Sequence, residues 1–193
     1  MSDALHPTVA HLLQSATPVL TIHGLAGRRW VRNVPASDGR HGPWLQAGYE
    51  VLDEATWQRP GACLYLVTGS DAGLRYVGIS RNGLKHRWRL SPALDAQTRA
   101  ALPDRQLFHS QCWKHIESEC AADSQARFTV HCLGERALIE VLRTVDDPIR
   151  HLAELDEDGE TVTAGVERWI CNRASASLAR WNVAMTARRA ASR

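Results

Sequence analysis

Residues 63–80 read CLYLVTGSDAGLRYVGIS, and the fold turns on them. Two short runs rich in β-favouring residues, 63–67 and 74–80, flank a loop of Gly, Ser and Asp. That is the pattern of an antiparallel hairpin, because Gly and Asp relieve the backbone where the chain must reverse. Working outward, Asn82-Gly83 breaks the second run, and LKHRWRL (84–90) predicts a basic helix with Leu84 and Trp88 on one side and Arg87 as a candidate for the same side. LFHSQCWKHIES (107–118) sets Leu107, Cys112, Trp113 and Ile116 at helical intervals. RFTVHCL (127–133) alternates as a third strand, and ERALIEVLR (135–143) follows as a helix with Pro148 just past its end. The order β-β-α-α-β-α predicts an α+β unit, a three-stranded antiparallel sheet flanked by helices.

The flanks have a different character. Val9, Leu12 and Leu13 have helical spacing, and PVLTI (18–22) suits a strand. GRHGPW (39–44), with Pro35 and Pro60, is rich in turn formers, so residues 1–60 are expected to form an accessory region. Beyond Asp146-Asp147-Pro148, residues 146–178 are expected as an insertion within a catalytic domain spanning 61–184, and 185–193 as a basic tail. TAGVERWICNRASASLARWNVA (163–184) reads as one helix or two short ones.

Bulk properties exclude several classes. The 193 residues are 44% hydrophobic and 23% charged, ordinary for a folded globular chain. No apolar run approaches the roughly 18 residues of a membrane span, and the first residues lack a secretory pattern, so a cytoplasmic location is expected. Five cysteines at irregular spacing make a poor disulfide framework. Net charge is only +2, yet Arg81, Lys85, His86, Arg87 and Arg89 crowd into nine residues. Such a cluster is either a solvated helix face or a local source of phosphate affinity, with Lys85, Arg87 and Arg89 as candidate nucleic-acid contacts.

Cys63-Leu64-Tyr65 and Tyr76-Val77-Gly78 resemble the two halves of the signature of the GIY-YIG nucleases, with the tyrosines eleven positions apart. His86-Arg87-Trp88 resembles the helix that carries the family's arginine, and Phe108-His109-Ser110 a histidine-bearing helix found in part of it. Glu135 resembles the family's metal-binding glutamate, followed by Leu138 and Ile139. Trp181-Asn182-Val183-Ala184 resembles the closing asparagine motif, with Asn172 as a rival. The resemblance runs in order through residues 61–143 and then reaches Asn182. Cys63 stands where the signature has glycine, and Leu64 and Val77 where it has isoleucine.

The resemblance implies a divalent-metal-dependent endonuclease that hydrolyses phosphodiester bonds in DNA. Mg²⁺ or Mn²⁺ would sit on Glu135, Arg87 would neutralise phosphate charge, and Tyr65 would be the general base. Tyr76 would orient water or phosphate, His109 would relay a proton or hold Tyr65, and Asn182 would position Arg87 or the phosphate. The residues supply one separate argument. Glu135, Leu138, Ile139 and Leu142 share one helical face, and a carboxylate on an apolar stripe is costly without a partner such as a cation. A favourable first-turn position on the helix dipole explains Glu135 equally simply.

Other readings compete. Strand tyrosines commonly pack a sheet, and the same elements fit a nucleic-acid-binding module without catalysis. Cys112, His115, Cys120, His131 and Cys132 could hold zinc, although their spacing fits no common zinc motif. For the nuclease reading the substrate is double-stranded DNA, no membrane is involved, and a homodimer is compatible. The setting would be a restriction enzyme beside a cognate methyltransferase, or a toxin beside an immunity protein.

Overall fold

The computed structural model describes residues 5–32, 44–88, 93–101, 112–155, 159–173 and 181–182. Helix α1 (Pro7–Ser15) leads into the long strand β1 (Thr17–Arg32), followed by β2 (Trp44–Val51) and the short α2 (Glu54–Gln58). The hairpin β3 (Cys63–Gly69) and β4 (Leu74–Ser80) precedes α3 (Leu84–Trp88), β5 (Ala93–Asp95) and α4 (Trp113–Ala122). Strand β6 (Arg127–Gly134) runs directly into α5 (Glu135–Thr144), and a 3₁₀ helix (Pro148–Glu154) and α6 (Gly159–Arg173) are the last described elements. The α+β class is as expected. No helix among the described residues is long and apolar enough to cross a membrane.

The sheet is wider than the three strands expected. Its order is β2-β1-β6-β3-β4, every pairing is antiparallel, and β5 adds to β1. The three anticipated strands form the β6-β3-β4 part. The outer edge of β6 accepts β1 in register, with Leu20 opposite Val130 and Ile22 opposite Phe128. Residues 17–32 are thus sheet rather than a separate accessory layer. The run PVLTI was only the first third of a strand whose later residues, Gly24 to Arg32, carry too little apolar alternation to announce it.

Central position explains the unbroken apolar run of β3. Both of its faces are covered, so Cys63, Tyr65 and Val67 enter one core while Leu64 and Leu66 enter the other. The first core is closed by Trp57 of α2, Leu84 and Trp88 of α3, and Trp113 and Ile116 of α4. The second is closed by α1, α5, the 3₁₀ helix and α6, through Leu12, Leu138, Leu142, Ile149, Val162, Val166 and Ile170. The segment expected as an insertion after residue 146 therefore helps build the second core, with Ile149, Ala153, Val162, Val166, Ile170 and Cys171 buried in it. Strand β4 is one edge of the sheet, and its pairing contains a bulge: Val67 faces Tyr76 and Thr68 faces Leu74, leaving Arg75 as the extra residue. A bulge turns the following side chain, here Tyr76, relative to a regular strand.

Candidate active site

Tyr65 lies at the centre of β3 with no exposed surface, and Tyr76 on β4 is 3% exposed. Their rings stack at 6.0 Å and 24°, and Trp88 of α3 meets Tyr65 edge-on at 5.7 Å. Directly opposite Tyr65 in the sheet stands Gly78. A Cβ there would overlap the Tyr65 hydroxyl and come within 2.7 Å of Tyr76 Cε1. The glycine of Tyr-Val-Gly thus leaves the space through which the Tyr65 phenol crosses toward Tyr76.

Above the two phenols sits Arg87. Helix α3 begins at a sharp reversal, where Gly83 has φ +89° and the Ser80 hydroxyl donates to its carbonyl at 2.7 Å. The helix is short, with Leu84 and Trp88 buried, so Arg87 falls on the flank that leans over the hairpin. The residue is exposed at the surface, but its guanidinium donates to the Tyr65 hydroxyl, which in turn hydrogen-bonds Tyr76. Burial, then the neighbouring Tyr76 and Cys112, push the Tyr65 phenol well above its ordinary pKa, with Arg87 pulling the other way. Tyr76 is raised too, by burial first and then by Cys112 and Glu167. Both phenols are protonated at neutral pH in the protein alone. Burial of Arg87 opposes its charge, and the phenolic oxygens outweigh that and hold it cationic.

Two further groups complete the cluster: Cys112, which the sequence offered as a helix-face residue and a zinc candidate, and Glu167, which it did not single out. Cys112, the residue before α4, is fully buried within electrostatic reach of both tyrosines and Arg87. Glu167 projects from α6 toward the β4 edge, within reach of Tyr76 and Arg87. Burial lifts its carboxyl to about 7, against the opposing charges of Arg87 and Arg168. A signal for Glu167 was present. Glu167, Ile170 and Cys171 repeat the i, i+3, i+4 spacing used to single out Glu135.

The structure seats Glu135 elsewhere. It is the exposed first residue of α5, its backbone N–H donates to Ala62, and its carboxyl lies against Gly159 at the start of α6. Glu167 is eight residues further along that helix, about 12 Å. The buried stripe of α5 starts at Leu138, so the expected cost of Glu135 on an apolar face does not arise. Of the two glutamates, Glu167 is the one that joins the tyrosines and arginine.

Asn182 also takes a different post from the one expected. Its Oδ1 accepts the Val77 N–H at 3.1 Å and its Nδ2 donates to the Val77 carbonyl at 2.7 Å. The preceding Trp181 N–H donates to the Arg75 carbonyl at 3.3 Å. Trp181-Asn182 therefore closes the free edge of β4 around Tyr76, and the amide grips the strand rather than Arg87. The rival Asn172 lies exposed in the last turn of α6. Lys85 hydrogen-bonds Gln58 of α2. His109 and Arg89 lie outside the described residues.

The zinc alternative is not assembled. Cys112 packs on the tyrosine cluster, the His115 ring stacks on Trp181, His131 bonds Thr68 at 3.1 Å, and Cys132 bonds Cys63. Among the described residues no three His, Cys, Asp or Glu side chains gather as a metal site. No protein-family profile, curated protein or solved structure matches this chain.

Proposed function

We propose that the protein is a divalent-metal-dependent endonuclease acting on DNA, with a GIY-YIG-like site centred on Tyr65, Tyr76, Arg87 and Glu167. The observation that carries this reading is the chain from Arg87 through Tyr65 to Tyr76, threaded across a glycine that leaves no room for a side chain. Packing alone calls for neither a guanidinium over two phenols nor a carboxyl half-buried beside them.

The residues fit a hard divalent cation such as Mg²⁺ or Mn²⁺. Glu167 is a carboxyl held near neutrality by burial, and a cation beside it would replace the proton. Mg²⁺ is commonly held by one or two carboxylates plus substrate phosphate and water, so one glutamate suffices. When bound, the ion would supply Lewis-acid charge at a phosphate oxygen. Arg87 offers a planar fork of donors to the remaining phosphate oxygens as negative charge builds in the transition state. Tyr65 accepts the attacking water's proton as the phenolate, its own proton having passed to solvent, and Arg87, together with an ion when bound, would supply the positive charge that offsets its burial. Tyr76, hydrogen-bonded to Tyr65, orients it.

One observation favours a second reading, a nucleic-acid-binding module without catalysis: Tyr65 has no exposed surface at all. Nicking of supercoiled plasmid in Mg²⁺ or Mn²⁺ against EDTA separates the two. Cleavage that depends on the metal and is lost in folded Arg87→Ala and Glu167→Gln proteins supports the nuclease. Metal-independent binding with no cleavage supports the module.

A further inference from the structure

One turn from the phenol–guanidinium cluster, α4 carries an aromatic ring with no assigned task. Cys112, His115 and Glu119 lie along one side of α4, because they are spaced three and four apart. Cys112 meets the tyrosines and Arg87, and Glu119 accepts the Trp181 indole N–H at 3.2 Å. Between them the His115 ring lies parallel to Trp181, at 5.5 Å and 7°. Trp181 is itself fixed, tilted against Phe128 at 5.4 Å and tied by its backbone to Arg75, the neighbour of Tyr76. One side of the imidazole is thus backed by a rigid indole, and the residue is only half-buried. Its ring nitrogens have no hydrogen-bond partner among the described residues. Burial and the nearby Lys114 lower its pKa, which favours the neutral ring.

We propose that the half-buried His115 ring, backed by Trp181, is a stacking surface for the nucleobase adjacent to the phosphate held at Arg87. The inference rests on the nuclease reading and names how that site holds its strand. A flat neutral ring fixed beside a phosphate-binding arginine suits an unstacked base, since stacking on an aromatic face is indifferent to base identity. The arrangement also makes the preferred substrate one in which a base can leave its stack: a single strand, a flap or a locally opened duplex.

The test uses full-length protein and short DNA oligonucleotides carrying the fluorescent base 2-aminopurine at successive positions, mixed in EDTA to prevent turnover. The expected result is quenching confined to one position next to the scissile phosphate, which is mapped separately by cleavage in Mg²⁺. His115→Ala should abolish that quenching and weaken binding about 10-fold, the scale of one stacked base. His115→Phe, which keeps a ring and loses its nitrogens, should retain both. Thermal melting checks that each variant is folded. Cleavage by wild type with no quenched position overturns the stacking surface and leaves the nuclease reading standing. Quenching that persists in His115→Ala, or is lost equally in His115→Phe, overturns it too. Wild type that neither binds nor cuts DNA overturns both readings.

Discussion

Replacing Glu167 by Gln keeps the volume and shape of the side chain while removing its titration. The carboxyl titrates near 7 in the folded protein against an ordinary 4.5, because burial disfavours its charge more than Arg87 and Arg168 favour it. A raised carboxyl pKa means that the folded state binds the proton more tightly than the unfolded state does. Below pH 4.5 both states are protonated and the group contributes nothing. Between 4.5 and 7 the unfolded chain ionises first and stability falls; above 7 the full penalty is present. The difference corresponds to about 3 kcal/mol, an upper figure, since water reaches part of the side chain. Glu167→Gln should therefore melt like wild type near pH 4. Above pH 7 it should be more stable, by about 5–10 °C for a chain of this size. Magnesium should narrow that gap by binding wild type only. The assay is thermal unfolding from pH 4 to 8.5, with and without 10-fold steps of Mg²⁺. A constant difference across the pH range would refute the buried carboxyl. A difference that grows with pH but ignores Mg²⁺ and Mn²⁺ would leave the burial intact and refute the metal.

Four further outcomes follow from the same geometry. Gly78→Ala drives a methyl into Tyr65 and Tyr76 within a packed core, so it should cost about 2 kcal/mol in denaturant titration and lower cleavage; an unchanged midpoint would mean the two rings can part. Tyr65→Phe should keep the fold and lose roughly 10²–10⁴ in single-turnover cleavage, since only the hydroxyl handles the proton; full activity would leave the base elsewhere. Arg87→Lys retains charge but not the fork, and cleavage should fall about 10²-fold while plasmid binding changes little; wild-type rates would remove the bidentate role. Asn182→Ala strands the Val77 N–H and carbonyl and should cost about 2 kcal/mol, with faster amide exchange at Val77 in particular; protection unchanged at Val77 would deny the clasp.

How much of this was legible in the sequence depends on how local the signal was. The β3–β4 hairpin was readable because β-favouring runs and a Gly/Asp turn lie within eighteen residues, and α5 because its leucines recur on one face. Strand β1 was not: its first residues pair with β6, more than a hundred residues away, and its later ones, poor in apolar alternation, are held by β2 and β5. The site divides the same way. Tyr65, Tyr76 and Arg87 stand on neighbouring elements joined by tight turns, so sequence order nearly fixes their meeting. Glu167 arrives on α6, and its nearness depends on that helix packing across the second core and reaching the β4 edge.

That separation bears on why Glu135 and Glu167 could be confused and how the fold distinguishes them. Each is followed by apolar residues at the third and fourth positions, so periodicity alone cannot rank them. Position along the sheet does. Glu135 starts its helix level with Ala62, just before β3, and its carboxyl lies against Gly159 at the start of α6. Glu167 lies two turns along α6, level with the middle of the hairpin, where Tyr65 and Tyr76 sit. A helix can bury a carboxylate at its flank only if something cationic or polar awaits it, and Arg87 fills that place. Arg87 in turn needs Gly83 to start its helix and Gly78 to let Tyr65 reach beneath it. The acidic, basic and phenolic groups therefore converge on the β4 edge of the sheet, and Trp181-Asn182 closes that edge without covering Arg87. An edge so held keeps its backbone from pairing with another chain while leaving the guanidinium at the surface, where a phosphate can reach it.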